Sequence, residues 1–438
     1  WRVVPEPTPH NDPTMTPTPL ARSIGLPGAT MLGLGSILGT GVFVSIGLAA
    51  GAAGGWVVVA TVIAGLLAAA NALSSAQLAA AHPVSGGTYE YGYRLLTPSL
   101  GFAAGWMFLC AKTASAATAA LGFAGYLLGA FGFDSSRWVP IVAVGAVVVL
   151  TALVLSGIRR SSAVNAAIVA TTIAALVALI GATAATVPDR FTVAGLGLDH
   201  PIGLGLFEAS ALMFVAFTGY GRIATMGEEV RDPQRTIPRA IITTLVVSAA
   251  IYIAVAIAAV AALGADGLAA STLATGAPLE EAARALGSGW LVALIVIGAI
   301  TAMLGVLLNL ILGLSRVVLA MGRRGDAPAI FGRVDARGRA PVAATAAVGI
   351  VIAAIAAAGS IRLAWSFSAF TVLVYYAITN LAALRLPADR RLYPRWTAWA
   401  GLLGCLGLAW WVDSRAWMAG IAVLAAGFAL RFILRRLS

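Results

Sequence analysis

Charge is what this chain has least of. Only 10% of its 438 residues are Asp, Glu, Lys or Arg, against about 25% in a typical soluble domain. Lysine is nearly absent, since Lys112 is the only one. Histidine occurs at positions 10, 82 and 200, each outside the long apolar runs or at their ends. No metal-spaced His/Asp cluster and no Ser-His-acid arrangement emerges, so an enzyme is not indicated, and neither a metal nor a cofactor is expected. The two cysteines, Cys110 and Cys405, lie in apolar runs and imply no disulfide framework. A phosphate-cradling P-loop is missing, which argues against transport driven by ATP. The net charge of +11 comes from arginines scattered through short loops, with no basic face, so no nucleic-acid partner is expected.

Apolar length fills the chain instead. Hydrophobic residues make up 60% and mean hydropathy is +0.94, the profile of an integral membrane protein. A span needs about 20 apolar residues. Twelve segments meet that need, at roughly 24–50, 56–80, 99–131, 137–157, 162–186, 203–226, 239–263, 289–320, 341–359, 364–384, 396–412 and 416–434. A Gly/Tyr-rich connector, His82 to Pro98, joins the second and third and suits a short interfacial helix. Residues 1–22, rich in Pro and Thr, read as a disordered tail. With that tail in the cytoplasm, only Arg137, Arg190, Arg284, Arg362 and Arg415 fall outside. The positive-inside rule then puts both termini in the cytoplasm of a multi-pass protein of the cell membrane.

Two of the segments are interrupted. Gly33-Leu34-Gly35-Ser36-Ile37-Leu38-Gly39-Thr40-Gly41-Val42-Phe43 carries four glycines in nine residues, each costing a helix interior about 1 kcal/mol relative to Ala. In lipid, a helix break survives only where it is buried in protein or lines a watery cavity. Close packing of small residues is the other use of such a run, and the run alone leaves both open. The sixth segment breaks at Phe217-Thr218-Gly219-Tyr220-Gly221. Corresponding breaks five segments apart point to an inverted-repeat transporter with its site near the midplane.

The motifs around these breaks resemble the amino acid–polyamine–organocation permeases, most closely their cationic amino acid transporter-like branch. Gly35 to Phe43 is similar to the first-helix signature. Phe217 to Tyr220, with Gly227 to Pro238 after it, is similar to the sixth helix and its loop, and Ser315 to Pro328 resembles the end of the eighth helix. The resemblance implies an all-α, leucine-transporter-type fold of twelve transmembrane helices with helices 1 and 6 broken. Its parts would be a first five-helix repeat over 23–187, a second over 200–384, and helices 11 and 12 over 395–438.

The resemblance also implies that Ile37, Gly39, Thr40 and Gly41 face the carboxylate of an amino acid, with Ser36 also among the substrate-binding residues. Phe217, Thr218 and Gly219 would face its amino group, with the Phe217 ring as a lid. Half-helix ends favour these charges: amides for an anion, carbonyls for a cation. Tyr220, beside the break, either contacts substrate or packs. Several relatives carry a fifth-helix lysine that falls at or near Thr172 here, and a third-helix Glu of the branch is replaced by Ala111.

Ionisable residues within spans mark function by default. Lys112, central in the third segment, is expected to replace the missing fifth-helix lysine as fixed charge or proton carrier, the alternative being an interfacial lysine. Arg222 either draws an anionic substrate group or gates the inner vestibule, or it pairs with Glu228 or Glu229. Glu208 is an outer gate partner, a proton acceptor or an interfacial carboxylate. Arg316 anchors a cytoplasmic end, and Thr301 either helps line an ion-sized site or bonds back to its own helix. The expected function is secondary active transport of amino acids by alternating access, as proton-coupled symport. An amino acid or polyamine exchanger without proton coupling is the alternative, though the breaks carry no acidic residue for a strongly cationic ligand. A sensor or accessory subunit would need a signalling domain or a partner surface, and neither is visible.

Overall fold

The computed structural model describes residues 24–83, 86–133, 135–156, 162–224, 230–334 and 341–437. The expected tail over 1–22, along with Glu228 and Glu229, lies outside them. The described residues are helical, with one isolated parallel bridge between Ile24 and Val230.

The first span is three pieces, α1 (Leu26–Ile37), α2 (Thr40–Phe43) and α3 (Ser45–Ala53), and one 3-10 turn joins it to α4 (Val57–Ala81). The connector helix is α5 (Thr88–Leu95). Next comes the long α6 (Pro98–Ala130), begun by Pro98 in its first turn and by the Thr97 hydroxyl, which accepts from Leu100 N at 3.2 Å. It is followed by α7 (Ser135–Leu155) and α8 (Ser162–Thr186). The sixth span consists of α9 (Gly205–Phe217), a 3-10 turn over Thr218–Tyr220, and α10 (Gly221–Ala224). Then α11 (Pro233–Leu263) leads into α12 (Ala265–Ala274) and α13 (Pro278–Ala285), two loop helices outside the apolar segments. The chain continues through α14 (Gly289–Arg323), α15 (Val342–Ala357), α16 (Ile361–Arg385), α17 (Arg395–Trp410) and α18 (Ser414–Leu437).

Among the described residues, nine stretches are long and apolar enough to cross a bilayer, one of them, Leu26–Phe43, running through the first break, against the twelve segments of the sequence. The difference has physical causes. α15 and α17 have 16 residues each, about 24 Å of helix against a core of about 30 Å. The sixth segment is divided by its 3-10 turn.

The packing has a regular pattern. α4 lies along α11, α6 along α14, and α7 along α15. Several further contacts come in matched pairs: α6 with α16 and α14 with α8; α4 with α9 and α11 with α1; α4 with α16 and α11 with α8. Each member of a pair stands five segments from its counterpart. The outward faces of α7, α17 and α18 carry bare hydrophobes such as Val148, Val149, Leu403, Trp410 and Phe432, as a lipid-facing surface requires. The two broken spans are buried at the centre.

Candidate substrate site

The two breaks touch. A Cβ on Gly41 would stand 2.7 Å from the Ala216 methyl, and one on Gly219 would collide with the Ser36 carbonyl. Glycine at these two positions lets backbone meet backbone, so close packing and a helix break occur at the same place.

Neighbouring helices satisfy much of the backbone that the breaks release. The Tyr252 hydroxyl of α11 donates to Ile37 O at 2.6 Å and lies 3.3 Å from Ala216 O, bridging both breaks. From α16, the Tyr376 hydroxyl donates to Thr218 O at 3.4 Å. Thr218 returns its own hydroxyl to Val215 O at 2.7 Å. Further along the first span, Tyr126 of α6 donates to Phe43 O at 2.8 Å and accepts from Leu279 N of α13 at 3.2 Å. At the start of α2 the amides of Thr40 and Gly41 have no carbonyl one turn back within their own helix.

Lys112 lies 8% exposed in the middle of α6, and its Nζ donates to Thr218 Oγ1 at 2.8 Å. The alternative of a lysine that reaches an interface does not fit this placement. Its ammonium ends at the sixth break, because α6 packs deep in the bundle and Thr218 supplies an acceptor there. No lysine takes the fifth-helix place. Thr172 of α8 is buried and bonds back to Ile168 O at 2.8 Å.

A cavity of about 460 Å³ lies against both breaks. Its wall takes Ser36, Ile37, Thr40 and Gly41 from the first and Thr218 and Gly219 from the sixth, with Lys112 between them. It runs along α14 from Val306 past Asn309 to Arg316 and Ala320, and Arg222 and Tyr89 line it as well. Beyond the breaks, Trp365 of α16 lines the wall and donates its indole N–H to Leu212 O at 3.0 Å. Among the described residues, no Asp or Glu lines the cavity.

The other expected site residues stand apart from that wall. The Phe217 ring is fully buried against Tyr252, 5.0 Å between centroids, and beside Gly65. It therefore packs behind the break and is not a lid. Tyr220 packs on Tyr376, with 5.7 Å between ring centroids. Gly39 faces Val306, where a Cβ would stand 2.6 Å from a methyl. Glu208 pairs with Arg362 at 3.6 Å, in the first turn of α9. Thr301 returns its hydroxyl to Ile297 O and Gly298 O at 2.8 and 3.2 Å, spending it within α14.

Sequence reasoning passed over Asn309, Phe108 and Trp365. Asn309 alone carried a signal, as an amide inside the run Leu307-Leu308-Asn309-Leu310. It also passed over a buried ionic cluster at one end of the cavity. Asp326 is fully buried and accepts from Tyr89 at 2.8 Å, from Tyr93, from Arg431 at 2.9 Å and from Arg435 at 3.4 Å. Burial, together with the Asp326 carboxylate, pushes both phenols up, Tyr93 to about 12. Arg324 pairs with Glu90 at 3.0 Å and lies over the Tyr93 ring at 4.3 Å.

The sequence model of the amino acid permease family matches residues 28–433. An uncharacterized transporter of Mycobacterium bovis is 44% identical over 97% of this chain and 95% of its own length. A methylthioribose transporter of Bacillus subtilis is 30% identical over 77% of this chain and 75% of its own. A vacuolar cationic amino acid transporter of Arabidopsis thaliana is 28% identical over 86% of this chain and 62% of its own. These names span a thiosugar and cationic amino acids, so similarity alone does not select a substrate.

Proposed function

Because this chain belongs to the amino acid permease family of the amino acid–polyamine–organocation superfamily, a family of transporters and not of enzymes, we propose that it moves amino acids across the cell membrane by alternating access, as a proton-coupled symporter. The observation that carries this reading is the meeting of two broken spans on one cavity, with the chain's only lysine hydrogen-bonded to the second break.

The matched helix contacts support a leucine-transporter-type architecture. Two repeats of five spans, 23–187 and 200–384, would make every contact of the first recur in the second, and an odd number of spans inverts one repeat relative to the other. In this reading α15, α17 and the broken sixth segment complete twelve spans, and helices 11 and 12 over 395–438 lie outside the repeats. Arginine bias puts both termini in the cytoplasm. The cavity wall, which reaches Arg222, Arg316 and Tyr89, then corresponds to an inward-facing state. The Glu208–Arg362 pair and the Trp365–Leu212 bond lie on the closed outer side and must part when the protein turns outward.

At the site, the Thr40 and Gly41 amides would meet the substrate carboxylate, and Lys112 would carry the coupling proton. Uptake into proteoliposomes tests this with a panel of labelled amino acids and putrescine, with and without an inward proton gradient. Gradient-driven accumulation of an amino acid is expected. Uptake only into vesicles preloaded with amino acid would replace symport by exchange. Movement of putrescine alone would replace the substrate class.

A further inference from the structure

The sixth break is furnished as the seat of a fixed cation more than as a seat for an incoming one. Two of its carbonyls are already engaged, Val215 O by the Thr218 hydroxyl at 2.7 Å and Thr218 O by Tyr376 at 3.4 Å, and the Tyr252 hydroxyl, whose proton goes to Ile37 O, lies 3.3 Å from Ala216 O. The Thr218 hydroxyl oxygen accepts from Lys112 Nζ at 2.8 Å. A lysine ammonium has three donors, and this bond uses one of them. Among the described residues, the cavity wall around it contains no carboxylate.

We propose that the cavity selects a substrate with two carboxylates and a net negative charge, an amino acid with an acidic side chain, and that Lys112 is the residue that determines this choice. The α-carboxylate would take the first-break amides of Thr40 and Gly41, and the side-chain carboxylate would take the free donors of Lys112. This rests on the transport reading above and narrows its substrate. A cationic amino acid would bring an ammonium against Lys112, with no acid among the described wall residues to offset it. A neutral one would leave the lysine without a counterion. The same contact gives proton coupling a route, because the lysine attracts the carboxylate only while protonated.

Thermal unfolding of the purified full chain in detergent tests this with glutamate, aspartate, glutamine, arginine and succinate as the added compounds. Glutamate or aspartate is expected to raise Tm at concentrations at least 10-fold below those at which glutamine or arginine does. Lys112→Gln is expected to abolish that 10-fold preference, and Lys112→Arg to keep most of it. If arginine or glutamine stabilises the wild-type protein as well as glutamate does, the proposal is overturned without any variant. It is likewise overturned if Lys112→Gln folds and keeps the preference, or if no acid shifts Tm. Stabilisation by succinate with no response to any amino acid would uphold the anion selectivity and sink the amino acid reading. Proteoliposome uptake of neutral amino acids with glutamate ignored would do the reverse.

Discussion

Asp326 is the residue whose loss should damage the fold most for a single side chain outside the spans. Its carboxylate is fully buried and receives two phenols and Arg431, whose side chain is only 7% exposed. Asp326→Ala strands that guanidinium in a buried place, and breaking a buried pair by removing one partner costs about 3–5 kcal/mol. Arg435 adds little to the sum, because its side chain is 49% exposed and screened by water. For a chain of this length about 1–2 °C of Tm is lost per kcal/mol, extending the known size scaling, so Tm in detergent should fall by about 3–10 °C. Asp326→Asn keeps an acceptor for one phenol and should fall less. A double-mutant cycle with Arg431→Leu isolates the pair: Arg431→Leu should cost far less in the Asp326→Ala background than alone. A Tm within 1 °C of wild type for Asp326→Ala, or strict additivity in the cycle, would refute the reasoning. Because Tyr89 both donates to Asp326 and lines the cavity, the variant that survives folding should also show altered uptake.

Other perturbations follow from the same geometry. Gly219→Ala drives a methyl into the Ser36 carbonyl; it should abolish uptake while the protein still reaches the membrane, and normal uptake would mean that the breaks need not touch. Tyr252→Phe leaves Ile37 O without its donor at 2.6 Å and should cost about 1–3 kcal/mol, read as a lower Tm with slower uptake. Glu280 of α13 is buried, which raises its carboxyl above the ordinary 4.5 despite Arg284 beside it. The folded state therefore holds this proton to higher pH than the unfolded chain does, so this group's contribution to stability declines as pH rises from 4.5 through the raised value. In Glu280→Gln that part of the pH dependence should vanish from a Tm-versus-pH series, and an unchanged slope would count against it.

The sequence carried the breaks and the lysine for different reasons. Glycine density marks a place where a helix interior is costly, so Gly41 and Gly219 were visible before any contact was. The spans were visible as apolar runs, but whether a run crosses in one piece depends on helix ends. That is why α15, α17 and the divided sixth segment depart from the count of twelve. Side-chain direction at the breaks was not legible. Phe217 and Tyr220 are adjacent to Thr218 and Gly219, yet their rings turn back onto Tyr252 and Tyr376, because one residue along a tight turn rotates a side chain to another face. The Asp326 cluster joins α5, the segment after α14, and α18. Its three segments lie more than a hundred residues apart, and no local pattern connects them.

The position of Lys112 decides what a proton on it can do. A lysine at the fifth-helix place, near Thr172, would start from a position that does not line the cavity and would sense substrate only through helix movement. From α6, Lys112 reaches the sixth break itself and shares the cavity wall with Thr40 and Gly41. In the proposed mechanism its charge would act on substrate directly, through a contact that depends on the break holding Thr218 in place. Two consequences separate the arrangements. With direct contact, raising pH should weaken acidic substrate binding in a static assay, with no transport needed. Thr218→Val, which removes the anchor and leaves the lysine, should loosen selectivity for acidic over neutral side chains without removing the pH dependence. If pH alters uptake but leaves equilibrium binding untouched, the proton acts on the conformational change, and the direct contact between Lys112 and substrate is wrong.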